Sequence, residues 1–442
     1  MPTTSANDEY SVAVLGAGTA AESLLRELEG SDHRVVVFEP HLVGGECPFY
    51  ACIPSKAMLH DRRTGRGWND AVERRDELVH HRDDEQHADQ ARELGATIVR
   101  AEARLDGPGR VTADGVTYTV DHVVIATGAV PIIPDIEGLD ADHESVWTSR
   151  DALVATARPD RIIVLGGGVV GSELAFMFAS YGAETVLLEE ADRQADDLHP
   201  RTSELITETL ERAGVRVHTG VSPERVELGE SAVTVHLADD DSHTGDRLLV
   251  AVGRAPDHSA LGLDTLGVDS DDVAVGDDGC VEGTSNVWMM GDVAGKGQYT
   301  HLANHHASVV ANHLAGDGSR RFGDAVLPAC MFLDPPQVIV GPPPAELDGD
   351  DDVVWAEVEI DEPRSATDEH PAGFLAVAAR RSTGCIIAAN GIGPRLDEIS
   401  HALVVAIDGK VSVDTLRKTI QPFPTVGGVL SRVYHQLHDQ LA

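Results

Sequence analysis

Two cysteines and a lysine lie close together in one short segment, with a spacing that suits redox chemistry. Four residues separate Cys47 from Cys52, so a helical turn can bring the two sulfurs within bonding distance. Lys56 follows Cys52 by four residues and would lie on the same helix face. A nearby ammonium group lowers the pKa of a thiol and stabilises its thiolate. A redox-active pair is therefore predicted. An inert buried pair is the alternative, and a zinc site would need two further ligands that no second cysteine pair supplies.

The elements that must position these residues contain one pattern twice. Each copy reads as an apolar strand, a glycine-rich turn, a helix and a second apolar strand that ends in a glutamate. The first turn begins at Gly16 and its second strand ends at Glu39; the second turn begins at Gly166 and its strand ends at Glu189. In both copies the glutamate follows the last residue of the turn by 18 positions. This repeat is typical of the βαβ unit that binds a dinucleotide.

Each part of the pattern has a physical role in dinucleotide binding. The first glycine permits the tight turn, the second lets the backbone approach a pyrophosphate at the helix N-terminus, and the carboxylate accepts hydrogen bonds from a ribose. The candidate residues are Gly16, Gly18, Thr19, Ala20 and Glu39 in the first copy, and Gly166, Gly168, Val169, Val170, Gly171 and Glu189 in the second. Two dinucleotides are predicted. The second favours NAD over NADP, because Glu189 would repel a 2′-phosphate and Arg193 is the only base near it.

The composition narrows the function classes. The chain has 442 residues, with 74 acidic and 34 basic side chains and a formal charge of −40, so nucleic acid and anionic membranes are disfavoured as partners. An acid-rich chain with only four lysines also suggests a halophilic source. Five cysteines are too few for a disulfide scaffold, no apolar run is long enough to span a membrane, and residues 1–10 do not resemble a signal peptide. The expected location is cytoplasmic.

With these residues and further motifs, the chain resembles the FAD-dependent pyridine nucleotide-disulfide oxidoreductases, which include dihydrolipoamide dehydrogenase, glutathione reductase and mercuric reductase. Residues 47–56 match the family's C-x-x-x-x-C-I-P-S-K signature, residues 284–292 its second FAD motif, and residues 126–128 and 251–254 its two chain-crossing turns. The resemblance implies FAD and NAD as cofactors, with NADP less favoured and no metal. The residues that it adds are Gly45, Glu46, Lys56, Ala103, Thr127, Gly128, Gly291, Asp292, Thr300 and His301 for FAD, and Gly253 and Arg254 for NAD.

The resemblance also implies a role for each catalytic residue. Cys52 would lie against the flavin as a charge-transfer thiolate, and Cys47 would be the exposed thiol that meets the substrate. Lys56 would stabilise negative charge on the flavin and would itself pair with Glu173. NADH would deliver a hydride to FAD, and the reduced flavin would open the disulfide between the two cysteines.

The implied fold is α/β, with two Rossmann-like dinucleotide-binding domains (FAD and NAD(P)) and a C-terminal α+β dimerisation domain. Residues 1–150 and 276–322 would form the FAD-binding domain, residues 151–275 the NAD(P)-binding domain, and residues 324–442 the interface of a homodimer. A hairpin is predicted to turn at Asp114 and Gly115. The highly charged residues 64–87 are predicted to form an exposed helix with few neighbours.

The C-terminal segment departs from the family pattern. Disulfide-reducing members carry a histidine before Pro-Thr and a glutamate four residues after that proline, which act as an acid/base pair across the dimer; here Phe423 and Gly428 stand at those positions. General acid–base catalysis is worth roughly 10²–10⁴-fold, so lipoamide turnover is expected to be weak. Mercuric reductases carry a C-terminal cysteine pair, and this chain has no cysteine after Cys385. The candidates for a substitute proton donor are His301, His305 and His435.

These residues are compatible with three hypotheses. The first is an NADH-driven flavoenzyme that passes electrons through the cysteine pair to a small-molecule acceptor such as a quinone, a dye, a metal ion or a reactive disulfide. The second is a dihydrolipoamide dehydrogenase or small-thiol disulfide reductase with a substitute proton donor. The third is a non-catalytic flavin redox sensor, which the second glycine-rich turn disfavours because a sensor needs no hydride donor.

Overall fold

The computed structural model describes residues 10–238, 240–367 and 373–442. The prediction that the chain lacks a signal peptide concerns residues that lie, apart from Tyr10, outside these ranges. The chain divides into two compact units. The first comprises the chain up to Met58 together with Asp70–Ile132 and Arg254–Ala325, and the second comprises Leu59–Asn69, Ile133–Gly253 and Val326–Ala442.

The strands and helices of the first half of the chain alternate as a series of βαβ units with antiparallel additions. Up to residue 132 they are β1 (Val12–Leu15), α1 (Thr19–Glu27), β2 (Val35–Phe38), α2 (Glu46–Tyr50), α3 (Cys52–Arg63), α4 (Trp68–Leu78), α5 (Glu85–Glu93), β3 (Thr97–Val99), β4 (Ala103–Leu105), β5 (Arg110–Ala113), β6 (Val116–Thr119), β7 (His122–Ile125) and β8 (Val130–Pro131). Residues 133–253 contribute β9 (Val146–Trp147), α6 (Ser149–Val154), β10 (Arg161–Leu165), α7 (Val169–Ser180), β11 (Glu184–Leu188), α8 (Pro200–Arg212), β12 (Val215–His218), β13 (Pro223–Leu228), β14 (Val233–Leu237), β15 (Ser242–Gly245) and β16 (Arg247–Val250).

The second half of the chain completes the first unit and then forms a separate antiparallel sheet. Residues 254–325 contribute β17 (Arg254–Ala255), β18 (Val287–Met289) and α9 (Thr300–Leu314). The remaining residues contribute β19 (Pro328–Met331), β20 (Gln337–Val340), α10 (Pro344–Leu347), β21 (Val353–Ile360), α11 (Pro363–Thr367), β22 (Gly373–Arg380), β23 (Ile386–Ile392), α12 (Leu396–Asp408), α13 (Val413–Leu416) and α14 (Gly428–Leu441).

A five-stranded parallel sheet, in the order β18-β7-β1-β2-β3, forms the centre of the first unit. The residues of β1 and β2 are all buried and apolar, as expected for parallel strands covered on both faces. An antiparallel sheet, β4-β5-β6, lies in the same unit. It contains the predicted hairpin, in which Asp114 and Gly115 both have positive φ (49° and 76°). Because the parallel order places β1 centrally, the first glycine turn emerges from the middle of this sheet.

The second unit repeats this arrangement. Its parallel sheet has the order β12-β11-β10-β16-β9, so β10 lies between β11 and β16 as β1 lies between β2 and β7. A second, five-stranded antiparallel sheet has the order β19-β20-β23-β22-β21, and its buried side chains form one core with those of α12 and α14. The predicted fold class, two dinucleotide-binding βαβ arrangements and a C-terminal α+β part, is confirmed.

The charged segment of residues 64–87 is not one helix, so that prediction was wrong. Helix α4 ends at Leu78, a short left-handed turn at His80–Arg82 follows, and α5 begins at Glu85. One face of α4 is buried, and it includes the whole side chain of Arg75, which pairs with Asp76. No helix among the described residues is long and apolar enough to cross a membrane.

Candidate active site

The two cysteines lie on consecutive short helices in the first unit. Cys47 belongs to α2 and Cys52 begins α3, and the backbone breaks between them at Ala51 (φ −133°, ψ −92°). From the spacing we expected a helical turn to bring the two sulfurs together; in the structure the helical backbone is interrupted at Ala51 between them. Both cysteines are free and half-buried. Their sulfurs converge on one hydroxyl, because Thr300 Oγ1 donates to Cys47 Sγ at 3.3 Å and lies 3.5 Å from Cys52 Sγ.

Thr300 reaches the cysteines because it is the first residue of α9. The preceding residue, Tyr299, is extended (φ −133°, ψ 139°), so the helix begins abruptly at Thr300. The resemblance assigned Thr300 to the flavin, and the structure gives its hydroxyl a second neighbour, the sulfur pair. A contact between residues 248 positions apart has no local signal in a sequence.

The two thiols have pKa shifts in opposite directions. The pKa of Cys52 is lowered from its usual 9.0 to about 6, chiefly by hydrogen bonding with Cys47 and also by Thr300 and the charge of Lys56, while burial opposes the shift. Hydrogen bonding with Cys52, together with burial, raises the pKa of Cys47. Near neutral pH the reduced pair therefore holds one proton, on Cys47, and Cys52 is a thiolate. Lys56 lies one turn after Cys52 on α3, as its spacing predicted.

The first glycine turn forms a narrow backbone cradle. A Cβ at Gly16 would lie 2.5 Å from the carbonyl oxygen of Ala126, and a Cβ at Gly45 would lie 2.7 Å from the Cα of Gly18. Gly45 therefore has to be a glycine both for this approach and for its φ of 73°. The N–H groups of Gly16, Gly44 and Gly45 are bonded to backbone carbonyl oxygens, so the donors for an anion here would come from the N-terminus of α1.

Glu39 joins this cradle as the pattern predicted. Its Oε2 accepts the N–H of Ala17 at 2.9 Å and its Oε1 accepts the N–H of His41 at 2.8 Å. A carboxylate has about four lone-pair positions, so both oxygens retain capacity for ribose hydroxyls. Cradle and carboxylate together fit the diphosphate and ribose of a dinucleotide.

An acidic side chain and an ion pair lie close to the same cradle. Asp292 begins a short 3₁₀ helix after Gly291. Burial raises the pKa of its carboxyl group; the charge of Glu46 acts in the same direction and that of Arg254 in the opposite one. Arg254 Nη2 donates to Glu46 Oε2 at 2.6 Å and also to the carbonyl oxygen of Ala129. The resemblance placed Glu46 with FAD and Arg254 with NAD; in the structure the two residues form one ion pair in the first unit, next to Cys47.

The second glycine turn has the same geometry within the second unit. A Cβ at Gly166 would lie 2.5 Å from the carbonyl oxygen of Ala251, and a Cβ at Gly171 would lie 1.9 Å from that of Gly166. Glu189 Oε2 accepts the N–H of Gly167 at 2.5 Å, and its Oε1 accepts the N–H of Ala191 at 2.8 Å. Three apolar side chains at the mouth of the turn are strongly exposed: Val169 (37%), Val170 (40%) and Val252 (41%). This turn also fits a dinucleotide, whose apolar surface would cover the valines.

The remaining predicted residues occupy the following places. Thr19 and Ala20 form the first turn of α1, Gly18 and Gly168 precede α1 and α7, Ala103 begins β4, Thr127 and Gly128 follow β7, and Gly253 precedes β17. His301 is the second residue of α9 and stacks on Tyr299 with ring centroids 5.4 Å apart. Glu173 lies buried in α7, where its Oε1 accepts the N–H of Phe332 at 2.8 Å.

The C-terminal segment exposes apolar side chains where the family pattern has a proton donor. Phe423 is 82% exposed and Ile420 is 96% exposed. A Cβ at Gly428 would lie 2.7 Å from Oε2 of Glu362, whose other oxygen accepts Arg432 Nε at 2.9 Å. A carboxylate from the end of the β21 segment therefore borders the position where the family pattern has its glutamate.

Two of the three candidate histidines already serve local hydrogen bonds. The Nε2–H of His305 donates to the carbonyl oxygens of Arg321 (3.2 Å) and Phe322 (3.0 Å). Nδ1 of His435 lies 2.7 Å from the carbonyl oxygen of Ser431, within its own helix. These bonds tie both rings to the backbone and favour structural roles for them.

Comparison with known proteins agrees with this geometry. Residues 10–308 match the family model described as pyridine nucleotide-disulphide oxidoreductase, and residues 327–433 match the dimerisation domain of the same group. The chain is 29% identical to a dihydrolipoyl dehydrogenase of Haloferax volcanii, covering 93% of each protein. It is also 29% identical to a mercuric reductase of Streptomyces lividans, covering 96% of this chain and 95% of that one, and 25% identical to a mercuric reductase of Staphylococcus aureus, covering 95% and 80%.

Solved structures share the fold. The Cu(II) complex of the HOCl-induced flavoprotein disulfide reductase RclA from Escherichia coli superposes with a TM-score of 0.88 at 24% identity, covering 96% of this chain and 99% of that one. LpdA from Mycobacterium tuberculosis superposes with a TM-score of 0.84 at 22% identity, covering 97% and 99%.

Proposed function

Because the chain belongs to the pyridine nucleotide-disulphide oxidoreductase family, whose members depend on FAD and NAD(P), we propose that it oxidises NADH and passes the electrons through Cys47 and Cys52 to a small acceptor that needs no dedicated acid/base pair. Quinones, metal ions and reactive small disulfides are acceptors of this kind. The observation that carries the proposal is the exposed phenyl ring of Phe423 in the place of the family's proton donor.

The cofactor sites follow from the two glycine turns. FAD would bind in the domain of residues 1–150 and 276–322, with its diphosphate in the cradle formed by Gly16, Gly18 and Gly45 and a ribose on Glu39. Asp292 would hold the ribitol and Thr300 would lie at the flavin. NAD(P) would bind to residues 151–275, with Glu189 on its ribose.

The surroundings of Glu189 favour NAD over NADP. Arg193, the one base that the sequence places there, donates to the carbonyl oxygen of Asp196 at 2.6 Å. It lines an open groove of about 440 Å³ whose other walls include the carboxylates of Asp192, Glu204, Glu208 and Glu211. Arg201 pairs with Glu204 and Glu208, yet the acids still outnumber the bases, so a 2′-phosphate placed in this groove would be repelled.

The cysteine pair would carry two electrons from the flavin to the acceptor by cycling between a disulfide and a thiol–thiolate pair. A bound FAD would supply the chemistry that links hydride transfer from NADH to two-electron reduction of a disulfide. Cleavage of the Cys47–Cys52 bond leaves a thiolate on Cys52, which Thr300 and Lys56 stabilise, and a protonated Cys47, whose proton derives from the hydride that NADH gives up. Transfer to a quinone re-forms the disulfide. It yields a hydroquinone that takes one proton from Cys47 and one from solvent.

The missing acid/base pair decides which acceptors are reduced quickly. A dithiol substrate such as dihydrolipoamide must lose or gain a proton in the transition state, and a phenylalanine side chain has none to exchange. A metal ion takes electrons without a proton, and a quinone can take its two protons from Cys47 and solvent without a dedicated acid. The apolar segment at Ile420 and Phe423 further favours acceptors with an apolar body.

A second candidate function is disulfide reduction with a substitute acid. The contact that favours it is the carboxylate of Glu362, which borders Gly428. If this carboxylate replaces the family's glutamate, lipoamide turnover should be measurable and should fall in a Glu362→Gln variant, with quinone turnover unchanged.

The proposal is tested by anaerobic titration of the purified protein with NADH, followed by turnover with quinones, lipoamide and small disulfides. We expect flavin reduction by NADH and quinone turnover that exceeds lipoamide turnover by about 10²-fold or more. Fast lipoamide turnover would overturn this choice of acceptor, and a flavin that NADH does not reduce would leave only a redox-sensing role. A Cys47→Ser variant with full quinone activity would show that electrons bypass the cysteine pair.

We further propose that the protein is a cytoplasmic homodimer. The dimerisation-domain match over residues 327–433 supports a symmetric pair of chains. As the family resemblance implies, the segment around Phe423 would then approach the cysteine pair of the partner. Sedimentation equilibrium in high salt measures the association state.

A further inference from the structure

A buried glutamine lies against the second glycine turn without a hydrogen bond. Gln194 is 0% exposed, and neither Nε2 nor Oε1 of its carboxamide has a hydrogen-bond partner among the described residues. The carboxamide covers Gly167, because a Cβ at that glycine would lie 1.9 Å from Oε1 and 2.8 Å from Nε2 of Gln194. Buried carboxamides are nearly always hydrogen-bonded, so this one needs a physical explanation.

The first glycine turn shows that packing alone does not require an amide here. Its middle residue is Ala17, which carries a Cβ, and the residue five positions after its terminal glutamate is Gly44. In the second turn the larger side chain is at the other position: the middle residue is Gly167, which has no side chain, and the residue five positions after Glu189 is Gln194. In the first turn these two residues are in contact, since the N–H of Gly44 donates to the carbonyl oxygen of Ala17 at 2.8 Å. An alanine opposite a glycine therefore suffices to close such a turn, and the polar atoms of Gln194 must serve another purpose.

The position of the carboxamide indicates which ligand could satisfy it. Gly167 lies between Gly166 and Gly168 at the N-terminus of the 12-residue helix α7, where backbone N–H groups and the helix dipole attract an anion. The N–H of Gly167 is already bonded to Glu189, so it is not free for the ligand. A carboxamide N–H beside it would add a donor where the backbone of the turn has lost one.

We propose that Gln194 is a dinucleotide-positioning residue: its carboxamide packs on Gly167 in the free protein and turns to donate a hydrogen bond to the diphosphate when a nicotinamide dinucleotide binds. The inference rests on the proposed binding of NAD(P) to the second glycine turn. Gln194 belongs to the connection between β11 and α8, and the next residue, Ala195, has a left-handed backbone (φ 46°), so the carboxamide is carried by a turn and not by a strand or helix. Binding then removes the cost of a buried, unbonded amide and couples this residue to nucleotide affinity.

The test compares NAD⁺ affinity, measured by isothermal titration calorimetry on the FAD-loaded protein, in wild type and in four variants. Gln194→Leu keeps the volume and removes the donor. We expect its Kd for NAD⁺ to rise about tenfold or more, the size of one hydrogen bond to a charged group, with FAD content unchanged and the melting temperature equal or higher. Gln194→Glu places a carboxylate near the diphosphate and should weaken binding further. In steady-state assays with ferricyanide, Gln194→Leu should raise KM for NADH and leave kcat unchanged.

A packing control separates the amide's hydrogen bond from its volume. Gly167→Ala should destabilise the second unit, because its Cβ would collide with the carboxamide. The double variant Gly167→Ala/Gln194→Gly copies the residues of the first turn. It should recover the melting temperature and keep the weak NAD⁺ binding of Gln194→Leu.

The outcomes distinguish this inference from the proposed function. Unchanged NAD⁺ affinity in Gln194→Leu, or full recovery of affinity in the double variant, would overturn the role of Gln194 while leaving NADH oxidation intact. A wild-type protein that binds neither NAD⁺ nor NADH would instead refute the proposed function, and this inference with it.

Discussion

Replacing Thr300 by valine should raise the pKa of the Cys52 thiol by about one unit. The hydroxyl lies 3.3 Å from Cys47 Sγ and 3.5 Å from Cys52 Sγ, and it contributes to lowering the pKa of Cys52 to about 6. A hydrogen bond to a charged group is worth about 1.5–3 kcal/mol, and about 1.4 kcal/mol corresponds to one pKa unit. The contact to Cys52 is long and Thr300 is not the largest cause, so we take the lower end of that range. Valine preserves the shape of the side chain, and serine preserves its hydroxyl.

The thiolate absorbance near 240 nm follows this pKa directly. The reduced protein is titrated between about pH 5 and pH 9, where Cys47 stays protonated, and the curve of a Cys47→Ser/Cys52→Ser variant is subtracted to remove the other thiols and the flavin. We expect a midpoint of about 6 for wild type and for Thr300→Ser, and of about 7 for Thr300→Val. A Thr300→Val midpoint within about 0.3 units of wild type would refute the reasoning, because the hydroxyl would then not stabilise the thiolate.

Three further predictions concern the C-terminal segment and the charge state of the cysteines. Phe423→His should increase lipoamide turnover about tenfold or more in steady-state assays, because it restores a proton donor, while quinone turnover stays constant. Phe423→Leu is the control and should change neither rate. An equal gain in lipoamide turnover in both variants would contradict a proton-transfer role. Gly428→Glu should lower the melting temperature because it places a second carboxylate beside Glu362, whose Oε2 lies 2.7 Å from the position of the added Cβ, and Glu362→Gln in the same chain should recover the part of the loss that is charge repulsion; a variant as stable as wild type would show that the segment relaxes freely. In the reduced protein, Cys52 has a folded pKa of about 6 and a usual value of 9.0, so its contribution to the free energy of unfolding is complete above pH 9.0 and is lost as the pH falls through about 6. The free energy of unfolding of reduced wild type, measured in urea, should therefore fall between pH 8 and pH 5 by about 2–3 kcal/mol more than that of Cys52→Ser, and equal changes in the two proteins would exclude a folded thiolate.

The contacts that the sequence did not reveal join residues that are far apart in the chain. The hydroxyl of Thr300 meets two sulfurs about 250 positions away, and Arg254 meets Glu46 across 208 positions. No periodicity or spacing in the chain signals either contact, because a side chain finds such a partner only after separate elements have packed. The buried Arg75 is a similar case: in the sequence it belongs to a charged and apparently solvated segment, yet one face of its helix is covered.

The sequence by itself determined the two βαβ units, the glutamate that closes each, and the cysteine pair with its lysine. These depend on local geometry: a turn that only glycine can make, a helix that places residues four apart on one face, and a strand whose residues are all apolar. Only the tertiary structure decided which thiol carries the proton, which hydroxyl lies between the sulfurs, what borders Gly428 and what covers Gly167. Proton location and side-chain contact depend on burial and on atoms within about 4 Å, and the packed chain sets both.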